Sequence, residues 1–578
     1  MKIQVDRSTW SLRPFTPDDL KRVEALQSRV PLHPLLLRLL LQRGLSDEKD
    51  IDLFLNGSLA DIPNPFGLTD MDRAVDRLIL AMERHETVCF FGDYDVDGIS
   101  GTAQMMVFCR EIGLAAKAIL PRRLEEGYGL TEASLKRILT SIPGLVVTID
   151  NGTRSKNEIT TLKERGIDAI IIDHHETPEE SSWPPAVALV NPKRPGDFPD
   201  SNIASAGLCF LLLMAWRARL RKKGFSPLPN LKRYLDLACL GTIADLVPLR
   251  GVNRLIVKHG LKELSQSTRP GIRALKAVSG IHVNEDVTAT TVGFRLAPRI
   301  NAAGRLDDPL LALNLLLAEN EADASPLAAR LDELNQERQK IEERATHEAV
   351  KQIGEVTANR KSLVAASRDW HLGVVGIVAA RLTERYGLPA IVLSISEDGS
   401  IARGSARTVP GISVYGALLR IEKEMLRFGG HTAAAGLTVE ASRLERFAQQ
   451  FEEAVRQEAG SFPKPGLLVD AELKLTDLDA TLVRELSRLE PHGPENPTPV
   501  FISSSVQMTG CRVVGTKHLK MRLLQEGAVR EAIGFGGASY LETALKTPRH
   551  DIAFTTQMNF WNGLESVQIQ LRSVFPNT

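Results

Sequence analysis

The sequence is poor in cysteine, and its cysteines are not spaced to hold a metal. Five occur in 578 residues, no Cys-x-x-Cys pair is present, and most lie in apolar runs. This argues against a disulfide framework and a thiolate zinc site and favours buried, reduced thiols.

Long apolar runs are also missing. The longest nearly apolar stretch, Ala204 to Trp216, is shorter than the roughly 20 residues that span a bilayer. Residues 1–10 carry no apolar signal-peptide core. We therefore expect a soluble cytoplasmic protein with no membrane partner.

Net charge is absent as well. The chain has 71 Lys+Arg and 71 Asp+Glu, which weighs slightly against a nucleic-acid binder, although acidic sites could offset a basic groove elsewhere. Aromatic residues make up 5%, so only a few rings, such as Tyr128, Trp370 and Tyr415, are candidates for base stacking.

What is present predicts an α/β protein of several domains. Apolar content of 43% suffices for real cores. Continuous apolar runs at Thr87–Phe91, Leu145–Ile149 and Ala169–Ile172 alternate with helical patterns at Ile99–Ile112 and around Asn157–Arg165. Alternation of this kind is typical of a doubly wound parallel sheet.

The rest of the chain divides into further predicted pieces. A charged helix from Leu327 to about Val356 is either a connector or an ordinary surface helix. A smaller α/β unit follows from Trp370, with small-residue loops at 403–407 and 428–436, and short terminal strands predict an OB-like β-barrel. Residues 295–305 are expected to form a loop rich in Gly and Arg.

Acidic residues and a histidine pair stand at the ends of the predicted strands. They fall in the segments 92–98, 149–151, 173–175 and 244–245. Ligands of doubly wound sheets bind beyond the carboxyl ends of the strands. Carboxylate oxygens with imidazole and no thiolate suit a pair of Mn²⁺ or Mg²⁺ ions, which points to phosphate chemistry.

Simpler explanations compete for each segment taken alone. The alternating acids of Asp93 to Asp97 resemble an EF-hand loop, but a strand precedes them and the next acid, Glu111, is too distant. One of them could be a helix N-cap with two solvent-facing neighbours. Adjacent histidines at a buried strand end are rarely structural, so the four segments together favour a metal site.

These motifs resemble those of the DHH phosphoesterase family. DYDVDG, TIDNGT, DHH and ADLVPL occur in that order, and RGSAR followed by FGGHTAAAG is similar to the DHH-associated second domain. APRINAAGRLDDP, GYGL at 127–130 and the terminal β-module narrow the resemblance to the single-strand-specific exonucleases of that family.

The resemblance implies a domain order and a set of site residues. The expected domains are an N-terminal helical segment (1–45), a DHH catalytic domain (46–310), connector helices (311–358), a DHH-associated domain (359–462) and an OB-like nucleic-acid-binding domain (463–578). Two Mn²⁺ or Mg²⁺ ions would be held by Asp93, Asp95, Asp97, Asp150, His174 and Asp245. Asp150 would bridge the ions, His175 would contact the scissile phosphate, and Asp173 would orient a histidine.

The resemblance also implies how the substrate binds. Arg299 and Arg305 would read the 5′-terminal phosphates, because guanidinium forks match phosphate oxygens. The expected substrate-binding residues are Arg123, Arg299, Asn301, Arg305, Ser405, Arg407, Gly429, Gly430 and His431. Surface salt bridges are the plain alternative for the arginines, and a tight turn is the alternative for the glycines.

The expected activity is 5′→3′ exonucleolytic degradation of single-stranded DNA to 5′-mononucleotides in recombination and repair. We expect a monomer that works with a helicase and a single-strand-binding protein. Three alternatives remain: an oligonucleotidase or cyclic-dinucleotide phosphodiesterase, a scaffold that has lost its metal ligands, and a manganese pyrophosphatase. Length and the terminal β-module disfavour the first, the complete ligand set disfavours the second, and length with the APRINAAGR loop disfavours the third.

Overall fold

The computed structural model describes residues 10–123, 125–127, 129–357, 359–459, 466–561 and 564–577. Its contacts divide the chain into two compact units. The larger unit comprises 63–245 and 260–464, and the smaller unit comprises 1–62, 246–259 and 465–578.

The helices in chain order are α1 (Pro17–Gln27), α2 (Pro34–Gln42), α3 (Glu48–Asn56), α4 (Met71–Glu83), α5 (Val96–Ile112), α6 (Glu132–Thr140), α7 (Lys156–Glu164), α8 (Ser205–Lys222), α9 (Leu235–Ala244), α10 (Gly251–Ser265), α11 (Pro270–Val278), α12 (Ala289–Thr291), α13 (Ala297–Leu306), α14 (Leu310–Leu317), α15 (Glu321–Ile353), α16 (Val375–Tyr386), α17 (Val414–Arg420), α18 (Leu444–Glu458), α19 (Ala480–Ser487) and α20 (Leu541–Lys546). The strands are β1 (Trp10–Leu12), β2 (Val88–Gly92), β3 (Ala116–Ile119), β4 (Leu145–Ile149), β5 (Asp168–Ile172), β6 (Ala188–Val190), β7 (Leu363–Ser367), β8 (Ala390–Ile395), β9 (Ile401–Arg407), β10 (Arg427–His431), β11 (Ala434–Glu440), β12 (Leu467–Val469), β13 (Ala471–Glu472), β14 (Phe501–Val514), β15 (His518–Gln525), β16 (Ala528–Gly534), β17 (Arg549–Trp561) and β18 (Leu564–Asn577).

The first sheet of the larger unit is parallel throughout, with strand order β3-β2-β4-β5-β6. Leu135 and Ile138 of α6 and Ile159 of α7 pack on one face of the sheet. Helix α5 lies on the other face, where Gly101 is so close to Ile149 that a Cβ would come within 2.9 Å of its Cγ2. The predicted doubly wound sheet is confirmed.

The second sheet of the larger unit has the order β10-β11-β9-β8-β7. The prediction of loops at 403–407 and 428–436 is wrong, because these residues form β9 and the hairpin β10–β11. Their small residues hide the usual apolar alternation, and Gly404 lies so close to the next strand that a Cβ would be 2.0 Å from the Val392 carbonyl oxygen.

The predicted loop at 295–305 is also wrong. A π-helical turn, Val292–Leu296, continues into α13. Gly and Arg weaken the helical signal of this segment, but Ile300 is fully buried and holds the helix by packing. The predicted charged helix is confirmed as α15, which begins earlier, at Glu321.

The smaller unit contains the predicted OB-like barrel. Strands β14, β15, β16, β18 and β17 are joined in that order, and β17 pairs with β14 to close the barrel. The barrel shares a hydrophobic core with the N-terminal helices, which includes Leu37 and Leu40 of α2, Phe501 of β14 and Leu482 of α19. The predicted domain boundaries stay a prediction, and the boundary at 463–465 lies outside the described residues.

A buried arginine joins three segments of the smaller unit. The Arg254 guanidinium lies 3.6 Å from the centre of the Phe54 ring and donates to the Phe54 carbonyl at 2.7 Å. It also donates to the carbonyls of residues 488–491, at 2.9–3.3 Å. Burial, with the charge of Arg43, lowers the pKa of Arg254 to about 10, so it remains charged near neutral pH.

We predict that Arg254→Met destabilises the protein by about 3 kcal/mol or more, because five carbonyl groups lose a charged donor. Among the described contacts, only those of Leu489 and Pro491 keep a second donor, the Asn496 amide. Urea unfolding followed by circular dichroism measures the change. The matched control is Arg22→Met on the exposed face of α1, for which a change within about 0.5 kcal/mol is expected. Equal stability of the two variants would contradict the prediction.

Candidate metal and phosphate site

The candidate site is built on the carboxyl ends of three adjacent parallel strands of the larger unit. Asp93 follows β2, Asp150 follows β4 and Asp173 follows β5. Their backbone amides continue the ladder: Asp93 N–H donates to the Ile149 carbonyl at 3.1 Å, and Asp150 N–H donates to the Ile172 carbonyl at 2.9 Å. The register of the sheet therefore places the side chains at one edge.

Glycine lets the first motif, Asp93 to Gly98, turn tightly from β2 into α5. A Cβ on Gly98 would lie 2.5 Å from the Asp93 backbone nitrogen, so another residue would push the helix away from the strand end. Asp150 has φ of 66°, a left-handed conformation that is strained for a residue other than glycine. Strain of this kind is typical of functional positions.

The acids and histidines converge into three overlapping groups whose ligand atoms lie within 4.8 Å of one another. They are Asp93 with Asp95 and Asp150, Asp97 with His174 and Asp245, and Asp150 with His174 and His175. Asp150 belongs to two of these groups. His174 Nε2 is 3.3 Å from Asp150 Oδ1 and 3.5 Å from Asp245 Oδ2.

The carboxylates are too crowded and too dry to stay ionised without positive charge. Burial and neighbouring acids raise the pKa of Asp97 to about 7 and of Asp245 to about 9, and raise those of Asp93 and Asp150 well above their usual value. Among the described residues, the buried Asp93 Oδ1 has no hydrogen-bond partner. Hard divalent cations fit this set of oxygens and imidazole.

One acid of the first motif is the helix N-cap that the simpler explanation proposed. Asp95 is the N-cap of α5 and accepts from the amides of Asp97 and Gly98 at 3.0 and 3.2 Å. Its acidic neighbours do not face solvent, because Asp93 and Asp97 are buried. Asp97 accepts from two amides at the start of α8, those of Ser205 (2.7 Å) and Ala206 (2.9 Å).

The two histidines are held in different charge states. Burial and the charge of His175 lower the pKa of His174 to about 4, so His174 is neutral and able to ligate a metal. Burial opposes the charge on His175, but the hydrogen bond and charge of Asp173 outweigh it and raise the pKa to about 9. His175 is therefore a cation near neutral pH.

Asp173 orients this pair. Its Oδ1 lies 2.7 Å from His175 Nδ1 and accepts from the His174 and His175 amides at 2.8 and 3.2 Å. Burial alone would raise the pKa of Asp173, but the hydrogen bonds from His175 and Thr153 lower it. Asn191 completes the support by donating to the His175 carbonyl at 2.9 Å.

Sequence reasoning missed Thr153, Asn191 and Ser205. The Thr153 amide donates to Asp173 Oδ2 at 3.0 Å, and the Ser205 hydroxyl donates to Asp150 Oδ1 at 2.9 Å. Thr153 is the last residue of the TIDNGT motif, so its place in that motif was a signal for its role. Ser205 lies 55 residues from Asp150 in a segment without a polar pattern.

A group of arginines lies beside the acidic cluster. The Arg123 guanidinium carbon is 5.2 Å from the centre of the Tyr94 ring, and Arg407 donates to the Ser405 hydroxyl at 2.6 Å. Burial and the charges of Arg123, Arg338 and Arg407 lower the pKa of Arg305 to about 10. Contacts through Tyr94 and the start of α16 bring three arginines that are distant in sequence into one electropositive region, which we call the guanidinium pocket: Arg123, Arg305 and Arg407.

Helix α13 is clamped to the first motif. Asn301 Oδ1 accepts from the Val96 amide at 3.1 Å, and a Cβ on Gly304 would be 2.7 Å from the Tyr94 carbonyl oxygen. Arg299 is engaged elsewhere: its guanidinium donates to Asp332 at 2.8 Å and to the Arg295 carbonyl at 2.6 Å. The structure therefore does not bring Arg299 into the guanidinium pocket.

The glycine-rich strand β10 supplies the other predicted residues. Gly429, Gly430 and His431 are exposed on it, and the His431 ring lies parallel to that of His175 with centroids 6.4 Å apart. Trp370 is buried and donates to Glu348 at 2.8 Å, so it is not a stacking platform. Tyr415 is partly exposed beside Phe428, and Tyr128 lies outside the described residues.

Comparison with known proteins agrees with this geometry. The model for the DHH family, N-terminal domain, matches residues 87–242, that for the DHHA1 domain matches 359–457, and that for the RecJ OB domain matches 469–573. Fold and site thus define a protein of the DHH class. No described helix is long and apolar enough to cross a bilayer.

Full-length relatives identify the family within the DHH class to which the chain belongs. The chain is 34% identical to the single-stranded-DNA-specific exonuclease RecJ of Haemophilus influenzae over 96% of this chain and 99% of the relative, and 33% identical to that of Escherichia coli over 94% and 96%. The crystal structure of Thermus thermophilus RecJ with Mn²⁺ matches with a TM-score of 0.83 and 29% identity, covering 99% of this chain and 80% of that one. The chain belongs to the RecJ family.

We predict that Mn²⁺ stabilises the protein more as pH rises from about 6 to about 9. Asp97 and Asp245 have raised pKa values in the folded state. Their stabilising contribution without cations is therefore full below the unfolded pKa of about 4 and is lost as pH rises through about 7 and about 9. Mn²⁺ bound to these carboxylates replaces the protons that they lose and removes the repulsion between their negative charges.

Thermal melting with Mn²⁺ or EDTA across this pH range measures the gain. Asp245→Asn should reduce the gain from Mn²⁺. The control Asp236→Asn, at a buried aspartate bonded to Ser267, should lower stability without changing the gain. A Mn²⁺ effect that is flat or falls with pH would refute the prediction.

Proposed function

We propose that this chain is a metal-dependent exonuclease that degrades single-stranded DNA in the 5′→3′ direction to 5′-mononucleotides, in recombination and repair. The observation that carries the proposal is the convergence of acids and histidines into three overlapping groups that could hold metal ions, with Asp150 and His174 each in two of them. The proposed ligands are Asp93, Asp95, Asp97, Asp150, His174 and Asp245, which would hold two Mn²⁺ or Mg²⁺ ions.

When bound, such an ion pair would supply a hydroxide near neutral pH and would neutralise charge on the phosphate. His174, kept neutral by burial, serves as a ligand. His175 remains protonated beside Asp173 and stabilises the charge that develops on the scissile phosphate. Asp173 fixes the His175 ring, because its Oδ1 engages Nδ1 and leaves Nε2 for the substrate.

The polarity of the enzyme follows from the guanidinium pocket. Arg123, Arg305 and Arg407 with Ser405 would receive the 5′-terminal phosphate, while the next phosphodiester lies over the acidic cluster. Bidentate guanidinium contacts favour phosphate strongly. Gly429, Gly430 and His431 would contact the strand from β10, and Asn301 would hold α13 in place.

We also propose that the domains meet at about residues 45, 310, 358 and 462. The protein would be a cytoplasmic monomer. A helicase and a single-strand-binding protein would act with the enzyme, because a single-strand-specific nuclease requires that duplex DNA be opened. The OB-like barrel would bind single-stranded DNA with its own surface.

We predict that Asp150→Asn lowers turnover by roughly a thousandfold or more, since losing a shared ligand removes several kcal/mol of transition-state stabilisation. The assay uses end-labelled single strands, a duplex and a dinucleotide with Mn²⁺, Mg²⁺ or EDTA. Asp72→Asn, an exposed change on α4, is the control. Full activity of Asp150→Asn, or equal attack of wild type on duplex, would overturn the proposal.

We predict that Arg407→Met reduces the preference for a 5′-phosphorylated over a 5′-hydroxyl single strand by about tenfold or more, because one charge-assisted contact is lost. The kcat/KM ratio for the two substrates is the measurement. Arg403→Met, at an exposed position of the same strand, should keep the wild-type ratio. A ratio unchanged in Arg407→Met would remove this residue from the phosphate site.

A further inference from the structure

Two basic side chains lie beside the histidine pair and are not among the site residues described above. Lys193 Nζ donates to Glu176 Oε1 at 2.7 Å, and Arg154 Nε donates to the Glu176 carbonyl at 3.3 Å. Glu176 follows His175 directly in the sequence. Both cations therefore lie next to the histidine that stabilises the scissile phosphate in the proposed function, and one carboxylate serves the two of them.

A buried asparagine fixes the backbone beneath these cations. Asn191 lies just after β6, where its Nδ2 donates to the His175 carbonyl and its Oδ1 accepts from the Lys193 amide, both at 2.9 Å. Nδ2 also donates to the hydroxyl of Thr153 at 3.3 Å, and Arg154 is the next residue. The place of both cations beside the histidine pair thus depends on backbone contacts and not only on the conformation of long side chains.

The ion pair of Lys193 with Glu176 is open to exchange with a ligand. The Lys193 side chain is 25% exposed, that of Glu176 is 60% exposed, and Arg154 is exposed. Exposed ion pairs contribute little to stability, so a phosphate oxygen can replace the Glu176 carboxylate at small cost. The Arg154 guanidinium has five N–H groups, and its contact with the Glu176 carbonyl uses one.

The second sheet of the larger unit shows where these cations lie along a bound strand. Arg407 on β9, Ala434 on β11 and His431 on β10 are paired across the sheet, so Arg407 and His431 are two strand spacings apart, about 10 Å. The His431 ring lies 6.4 Å from that of His175. The order of contacts is therefore Arg407, then His431 with His175, then the two cations. A DNA strand with its 5′ phosphate at Arg407 reaches the cations last.

Small residues keep the face between these points open. Gly429 on β10 pairs with Gly436 on β11, which pairs with Ser405 on β9. No described atom lies within 4 Å of a Cβ built on Gly429, and its φ is not positive, so neither packing nor backbone conformation requires glycine there. Glycine weakens a strand and often marks the close approach of a ligand. The glycines therefore leave room for a strand to cross β11 and β10.

We propose that Lys193 and Arg154 bind the phosphate that follows the scissile one, which is the second internucleotide phosphate from the 5′ end. This inference rests on the proposed exonuclease function, which it deepens. The guanidinium pocket would hold the 5′ end, the two cations would hold the strand beyond the scissile phosphate, and Glu176 would be displaced from Lys193. Strands of three or more nucleotides would then be preferred over a dinucleotide.

The test compares a 5′-phosphorylated dinucleotide, which has only the scissile linkage, with a 5′-phosphorylated trinucleotide, which also has the second phosphate. Lys193→Met should lower kcat/KM for release of the first nucleotide from the trinucleotide by about tenfold and leave that for the dinucleotide within about twofold, as for the loss of one charged hydrogen bond. Arg154→Met should act in the same sense. Because Arg154 is exposed, it tests the inference even if Lys193→Met does not fold.

A neutral methylphosphonate in place of the second phosphate gives an independent measurement. It should lower kcat/KM of the wild-type enzyme for the trinucleotide by about tenfold or more, because both cations lose their negative partner. The double variant Lys193→Met/Arg154→Met should cleave the methylphosphonate and the unmodified trinucleotide at similar rates.

Two control variants distinguish phosphate binding from other effects. Glu176→Gln breaks the same ion pair but keeps both cations, so it should not lower kcat/KM for the trinucleotide. Lys163→Met, at an exposed position of α7, removes a positive charge elsewhere and should keep the wild-type ratio of trinucleotide to dinucleotide cleavage. Equal loss in Glu176→Gln and Lys193→Met would overturn the inference, because the ion pair would then only hold the segment of His175.

The outcomes separate the inference from the function on which it rests. A wild-type enzyme without exonuclease activity on single strands overturns the proposed function and the inference with it. An active wild type whose preference for the trinucleotide survives in the double variant overturns the inference alone. Equal loss on dinucleotide and trinucleotide in the double variant also overturns it, because the two cations would then not act on the second phosphate.

Discussion

The mutual repulsion of buried carboxylates is the constraint on which the larger unit depends. Asp93, Asp97 and Asp150 lie almost without solvent at the edge of one sheet. Such a cluster is unfavourable unless protons or cations neutralise it. Backbone amides at the start of α8 and the hydroxyl of Ser205 hold the acids in place. The fold thus keeps a destabilising arrangement that divalent ions would relieve.

The guanidinium pocket, a group of positive charges, lies close to the acidic cluster. Tyr94 separates the two: its neighbours in sequence are Asp93 and Asp95, and its ring lies against Arg123. Burial and the charge of Asp93 raise the pKa of Tyr94, so the phenol stays neutral between the clusters. A polyanionic chain that crosses from one cluster to the other would satisfy both.

The sequence predicts most of the acidic half of the site and less of the basic half. Strands β4 and β5 are short apolar runs whose terminal acids are visible locally, so Asp150 and Asp173 are predicted correctly as strand-end residues. The partner of Arg299 is Asp332, 33 residues away, and no local pattern shows that pair. The small-residue strand β9 and helix α13 were likewise missed, because tertiary packing rather than propensity determines them.

The contact between Gly304 and the Tyr94 backbone has a consequence for the length of the product. Because Gly304 has no side chain, α13 meets the first motif through main-chain atoms, and Arg305 follows immediately. The main chain at Arg305 is therefore held close to the main chain of the first motif. A larger residue at 304 would move the base of the Arg305 side chain away from the acids, and in an enzyme of the proposed kind this would change the length of the product that is released.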